Sequence, residues 1–425
     1  MTSTLDLRGE DFLGDPQGVL RGLREADWFA ETAMGPAILR YDEVRALLSS
    51  WSLRTPGVDF LAAQGITDGP VVEAVRGFLL SADGDDHQRV RRSVGKAFTV
   101  RRVEDFRCLA GDLADELVAG LGKRAGQGAG TTRNEGPGSG LGSGPGNGPG
   151  GGPGSGVESG GGFDFVEGFA QPFALGALCR FVGIPEDVRR EVGEWTADVG
   201  LVFGLGVAEH VPRIEAALEN LHGFIDDLLD QRRRSPQDDL LSALVDQSLT
   251  EAELRSLVIT LLSAGHGSVR HQLGNAMAAF LAHPDQWRLL AADPSLAEQA
   301  AEEVVRHSPS ALLGLPRVVK EDIRVNGTTF AAGSWVLPVT GSANRDAAVY
   351  DEPDRLDITV ARTAHLTYGG GIHYCLGAAL ARVELQEALP RLAAAMPDVR
   401  ADGPAKWLPP NEVGYGPLSL PLRTP

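Results

Sequence analysis

The apolar positions of this chain fall mostly at helical spacing, with only short extended pieces between them. Residues Pro16–Ala26 read as a short helix, Trp28–Phe29 and Ala37–Leu39 as a small hairpin, and Tyr41–Ser49 as a second helix. The stretch Thr55–Leu80 mixes Gly, Pro and apolar residues without clear period, which predicts a loop with short helical pieces. Helices are expected over Arg107–Lys123, Glu186–Phe203 and Val211–Arg234. The last two are amphipathic, and the glycine-bearing segment Gly204–Val211 that joins them suits a mobile lid. Thr250-Glu-Ala-Glu253 is a capping box. The helix it opens is halted by Pro284, after about 34 residues or roughly 50 Å, enough to cross a whole domain. Its apolar centre, Leu254–Leu262, leads into Ala264-Gly-His-Gly-Ser268. Each mid-helix glycine costs about 1 kcal/mol relative to alanine, which predicts that the helix widens there for a ligand.

One stretch breaks the pattern. Of the 38 residues from 125 to 162, 18 are glycine, too little apolar surface to offset the entropy of ordering them. No strand–loop–helix context marks a phosphate site. The segment is expected to be a disordered surface insertion, and loop entropy grows slowly enough with length for one domain, residues 1–425, to tolerate it.

Composition narrows the class. Hydrophobic residues at 43% and charged residues at 23% are globular values. The three cysteines, 108, 179 and 375, cannot all pair and have no zinc spacing, which points to a reducing cytoplasm. The N-terminus lacks a basic-then-apolar signal and no run of about 18 apolar residues occurs, so a soluble protein without membrane contact is expected. A net charge of −18 argues against a nucleic-acid partner.

The candidate chemistry lies in Leu366–Glu384, LTYGGGIHYCLGAALARVE. Cys375 precedes the strongly helix-forming run LGAALARVELQEAL, so the amides and dipole of a helix N-terminus are expected to stabilise its thiolate. Glycines 369, 370, 371 and 377 would let the backbone lie against a flat surface where a Cβ collides. A thiolate on such a loop is what a cysteine-ligated haem requires.

Tyr368-Gly-Gly-Gly371-Ile-His373-Tyr-Cys375-Leu-Gly377 resembles the haem-binding signature of the soluble bacterial branch of the cytochrome P450 superfamily. Tyr368 is the departure, in a place where phenylalanine is usual. The resemblance implies a mainly α fold, one haem-thiolate domain with small β-sheets, with Cys375 as the iron ligand of haem b. It further implies propionate contacts from His87 and Arg91, four apart on one helix face, and from Arg317 and His373. It assigns Glu303, Arg306 and Arg355 to a buried structural network. Thr55–Leu80 would lie over the haem and contact substrate. Ser310–Leu315 and Val413–Leu418 would flank the pocket, and their apolar character suggests a largely hydrophobic substrate.

In the long helix the family has Ala/Gly-Gly-x-Asp/Glu-Thr, where the threonine holds bound oxygen and the acid relays protons. Here Ala264 and Gly265 fit, Ser268 retains the hydroxyl, and Gly267 replaces the acid. His266, about 100° away around the helix, is expected to point elsewhere. Water, or a hydroxyl or carboxylate on the substrate itself, is the expected substitute.

Six basic residues and no acidic ones lie between His87 and Arg102: Arg89, Arg91, Arg92, Lys96, Arg101 and Arg102. The resemblance makes this a docking patch for an acidic ferredoxin, which delivers NAD(P)H electrons from a ferredoxin reductase. The expected protein is a monomeric oxidative tailoring enzyme of secondary-metabolite and antibiotic biosynthesis, acting on a substrate either free or tethered to a carrier protein. Gly267 leaves two alternatives: peroxide-dependent or otherwise atypical P450 chemistry such as coupling or dehydrogenation, and a non-catalytic haem-binding protein.

Overall fold

The Thr250 hydroxyl accepts from the Glu253 amide at 3.2 Å, and the Glu253 carboxylate accepts from the Thr250 amide at 2.9 Å. From this capping box the central helix Glu251–Ala282 runs 32 residues in the computed structural model, which describes residues 3–125, 162–412 and 414–424. Pro284 ends it by opening the next helix, Pro284–Ala292, where a missing N–H is no loss. The central helix is helical without interruption through Ala264–Ser268. Helices Gln171–Val182 and Arg189–Gly200 lie against it.

Most of the remaining elements follow the pattern. Helices Pro16–Ala26, Tyr41–Leu48 and Val211–Arg234 form as expected. The helix expected over Arg107–Lys123 begins earlier, at Val100, because the Thr99 hydroxyl caps it by accepting from the Arg102 amide at 3.1 Å. That helix, Val100–Ala125, packs on Ala378–Ala395, the helix that follows Cys375, and Ala297–His307 packs on the same helix.

The hairpin strands Phe29–Ala30 and Ala37–Ile38 join a five-stranded sheet. Its order continues through Trp335–Pro338, which runs parallel to Ala37–Ile38, then Arg317–Val319 and Leu53–Arg54, each antiparallel to its neighbour. The sheet therefore fixes Arg317 at a strand end. The glycine-rich stretch 125–162, apart from its end residues, lies outside the described residues. Gly162 opens a strand, Gly162–Asp164, that pairs with Pro421–Arg423 near the C-terminus. One buried apolar cluster draws on residues from Leu61 to Leu422, on both sides of that stretch. Among the described residues no helix is long and apolar enough to cross a membrane.

The buried ionic network differs from expectation in one member. Glu303 and Arg306, both buried, form a two-pronged pair at 2.7 and 2.8 Å. Arg355 does not reach Glu303 with its side chain. That side chain is 54% exposed and pairs with Glu352 and Asp357, while its backbone carbonyl accepts from Arg306 at 3.1 Å. The second arginine at Glu303 is Arg362, 3.2 Å away at ion-pair distance without hydrogen-bond alignment. The chain turns after Pro353, so the nearer arginine in sequence faces out and the later one faces in.

His307 sits beside this network, with Nε2 on the Asp354 carbonyl and Nδ1 on the Ser308 hydroxyl. Burial first, then the charges of Arg345 and Arg306, hold its pKa down at about 2.

Two outcomes follow for unfolding measured by denaturant titration. Arg306→Ala, which strands Glu303 in the interior, should cost about 3–5 kcal/mol, and Arg362→Ala part of that. Arg355→Ala should cost no more than about 1 kcal/mol. The second concerns pH. Unfolded His307 takes up a proton below its ordinary pKa of 6.5, whereas the folded ring does not until far lower. Its contribution is therefore complete above that value and declines as pH falls, by about 1.4 kcal/mol per unit. His307→Gln should make the loss of stability toward about pH 5 shallower by that amount.

Candidate active site

Cys375 stands where the turn Gly371–His373 gives way to the helix Ala378–Ala395. Its amide donates to the Tyr368 carbonyl at 2.8 Å, closing the loop, and its carbonyl accepts from the Ala378 amide at 3.4 Å; the amides of Gly377 and Ala378 favour the anionic form of its sulfur. Cys375 keeps accessible surface although protein surrounds it closely, so its exposure is to an internal cleft. Burial pushes the thiol pKa up, against the pull of the Gly377 amide, Arg91, Arg382 and the Ala378 amide. The helix terminus therefore favours the thiolate as expected, but does not by itself outweigh desolvation.

The loop glycines differ in what calls for them. Gly369 and Gly371 have φ of +72° and +63°, which other residues rarely adopt. A Cβ at Gly371 would lie 2.8 Å from the Leu48 carbonyl oxygen, and one at Gly370 3.2 Å from the Leu48 side chain. These two glycines make room for the helix Tyr41–Leu48. Gly377 has φ −80° and a Cβ there would meet nothing within 4 Å, so neither conformation nor protein packing calls for glycine at that position. The Tyr368 hydroxyl is buried without a partner, and the Arg382 guanidinium lies 4.6 Å from its ring centroid.

The polar residues around this loop form a group. His87 is buried, its ring 4.5 Å from that of His373, and its Nδ1 has no partner. Burial, then His373 and Arg91, lower the His87 pKa to about 4. Arg91 donates to the Tyr374 carbonyl. His373 Nε2 lies 3.1 Å from Asp83, whose other oxygen accepts from the Thr55 amide at 3.0 Å. Asp83 was not picked out from the sequence, where it is one of several acids before a helix. Its pKa is lowered: burial pushes it up, and the His373 contact and the Thr55 amide more than offset that. Arg317 is buried, and its polar contacts are its own neighbours' carbonyls, Leu315 at 3.2 Å and Pro316 at 3.1 Å. Arg317, Asp83, His373 and Gly371 line one cavity of about 220 Å³.

On the central helix, Ala264 and Ser268 are exposed although the helix is otherwise largely buried. The Ser268 hydroxyl donates to the Ala264 carbonyl at 2.8 Å. His266 is buried and so lies on another face, as expected. A Cβ at Gly265 would meet Leu178 at 3.0 Å, whereas one at Gly267 would meet nothing within 4 Å. Gln64, another residue sequence reasoning missed, ties the loop after Thr55 to the segment Gly204–Val211, with its carbonyl accepting from the Gly206 amide at 2.8 Å and its amide donating to the Gly204 carbonyl at 3.3 Å.

The basic run is narrower in space than in sequence. Arg89 pairs with Glu253, Arg102 with Asp238 at 3.4 Å and Arg101 with Asp105 at 3.6 Å. Arg92 and Lys96 have no acidic partner among the described residues.

A family model described as Cytochrome P450 matches residues 205–393. Luteothin monooxygenase of Streptomyces thioluteus is 33% identical over 99% of this chain and 95% of its own length. Mycinamicin IV hydroxylase/epoxidase of Micromonospora griseorubida is 35% identical over 91% of this chain and 88% of its own. The crystal structure of CalO2 superposes with a TM-score of 0.86 at 28% identity, covering 100% of this chain and 99% of that one.

The residues present fit a haem. Cys375 offers one thiol to an internal cleft, and Gly377 and Gly267 leave room that side chains would fill. Arg317 and His87 are buried donors that lack an anionic partner, as carboxylate-bearing propionates would require. Among the described residues no cluster of three or more His, Cys, Asp or Glu could hold a metal ion, so an iron held at Cys375 would take its other ligands from the group that carries it. Arg317→Ala should speed haem transfer to apomyoglobin by roughly tenfold or more, the worth of a charged hydrogen bond, with Arg317→Lys in between.

Proposed function

This chain belongs to the cytochrome P450 family, and from that premise we propose that it is a cytoplasmic tailoring monooxygenase that oxidises a mostly hydrophobic intermediate of secondary metabolism. That it is an oxidoreductase of the P450 monooxygenase type follows from its relatives, which are named as monooxygenases and hydroxylases, among them ones acting on luteothin and mycinamicin IV. The observation that carries the reading is the Cys375 sulfur, recessed at the start of a helix beside the Gly377 and Ala378 amides and facing an internal cleft.

Cys375 would ligate the iron, and His87, Arg91, His373 and Arg317 would hold the propionates, with Asp83 fixing the His373 ring. The bound haem supplies electron-rich iron that activates O2. The chain's own residues do the rest. The amides of Gly377 and Ala378, with Arg91 and Arg382, offset the negative charge on sulfur. Ser268 presents a hydroxyl to the cleft and keeps its proton on the Ala264 carbonyl until a better acceptor arrives. Gly267 admits water or a polar group of the substrate beside that hydroxyl. The lid Gly204–Val211, latched to the opposite loop by Gln64, would exclude bulk water.

Electrons would come from NAD(P)H through a ferredoxin reductase and an acidic ferredoxin docking at Arg92 and Lys96, the unpaired part of the basic run. In steady-state assays with reductase and varied ferredoxin, Arg92→Glu with Lys96→Glu should raise the ferredoxin KM roughly tenfold and leave the ligand-induced Soret shift unchanged. An unchanged KM would remove the docking assignment. Product formed with peroxide and none with the electron chain would remove the monooxygenase cycle.

A further inference from the structure

The middle of the central helix carries a second polar face beside the one that bears Ala264 and Ser268. Positions 263, 266, 267 and 270 are spaced i, i+3, i+4 and i+7, so they share one side of the helix. On that side Ser263 Oγ, His266 Nε2 and Arg270 Nε are each buried without a hydrogen-bond partner. Between them lies Gly267, where a Cβ would meet nothing within 4 Å. Three unmet polar atoms on one helix face, beside a position where a side chain would meet nothing, are unusual in an interior where such groups are nearly always satisfied.

The charge on this face is one-sided. Arg270 has no carboxylate within ion-pair distance among the described residues, and its side-chain contact is to Nε2 of His271. An arginine has no lone pair to offer, so it donates, and His271 is a neutral ring accepting at Nε2. Burial, then Arg270, holds His266 at about 4; burial, then Arg270 and His266, holds His271 at about 3. Both rings are therefore uncharged near neutrality, and Arg270 is the lone cation. Two more buried polar atoms without partners, His271 Nδ1 and Asn275 Oδ1, continue along the adjacent face toward the loop at Gly414 and Gly416, which rests on His271. A guanidinium held among neutral groups and lacking a counterion costs stability, and an anion that joins it offsets that cost.

We propose that this face is the anion-binding part of the substrate pocket, and that the substrate is a hydrophobic carboxylic acid whose carboxylate pairs with Arg270 over Gly267. Ser263 donates a further hydrogen bond, and His266 donates from whichever ring nitrogen carries its proton. The proposal rests on the oxidase reading above and sharpens its substrate class. It also restricts how a substrate is presented, since an acid joined to a carrier as a thioester through that same carboxyl has no charge to offer Arg270.

The test titrates ferric holoprotein at about pH 7 with dodecanoate and 2-naphthoate, each against its methyl ester. Binding is followed by calorimetry and by the Soret shift. At least one acid should bind roughly tenfold or more tighter than its ester. Arg270→Gln should bring that acid down to the level of its ester, leave the ester unchanged and leave reduction by ferredoxin unchanged, while Arg270→Lys should restore part of the preference. Equal binding of acid and ester, no binding of either acid, or a preference that survives Arg270→Gln would overturn the proposal. Failure of the oxidase reading looks different: the calorimetric preference for the acid would persist, but no compound would be oxidised with the full electron chain.

Discussion

A sulfur atom recessed among protein at the start of a helix is pulled two ways. Desolvation favours the neutral thiol, while the amides of Gly377 and Ala378 and the guanidinium groups of Arg91 and Arg382 favour the anion. In this chain desolvation prevails until a cation comes close enough to bind the sulfur directly. Much of the surrounding architecture serves that requirement. The Cys375 amide ties the loop to Tyr368, the left-handed glycines turn it, and Gly370 and Gly371 press it against the end of the helix Tyr41–Leu48. The helix Ala378–Ala395 is anchored on two others, which fixes the direction of its N-terminal end relative to the loop.

The same logic of uncompensated groups runs through the cleft. Arg317 and His87 are buried donors whose natural complements are carboxylates, and Arg270 is a third donor without an anionic partner among the described residues. The first two lie near the cysteine loop, the third on the central helix. A fold that keeps such groups inside gives up stability for recognition. The ionic network at Glu303, satisfied by Arg306 and Arg362, is the opposite case and belongs to the scaffold.

Much of this was legible in the sequence because the signals are local. The capping box at Thr250, the hairpin at Trp28–Leu39, the proline stop at Pro284 and the cysteine before a helix-forming run are all set by neighbours a few residues apart. What was not legible depends on chain reversals. Arg355 and Arg362 are equally plausible partners for Glu303 until the turn after Pro353 decides which one faces inward. The basic run looks unopposed until the fold brings Glu253 and Asp238 to Arg89 and Arg102. Asp83 gains meaning only when His373, 290 residues later, reaches it. The glycines at 370 and 371 suggested a flat ligand, but the backbone they accommodate belongs to Leu48.

The central claim is that Cys375 holds iron as a thiolate. The direct measurement is the absorption spectrum of the reduced holoprotein under carbon monoxide, recorded for the native chain and for Cys375→His, with circular dichroism confirming that both are folded. The native protein should show the long-wavelength Soret band of thiolate-ligated haem, and Cys375→His should show the shorter-wavelength band of imidazole ligation. A long-wavelength band that survives in Cys375→His, or one that never appears in the native protein, would contradict the assignment.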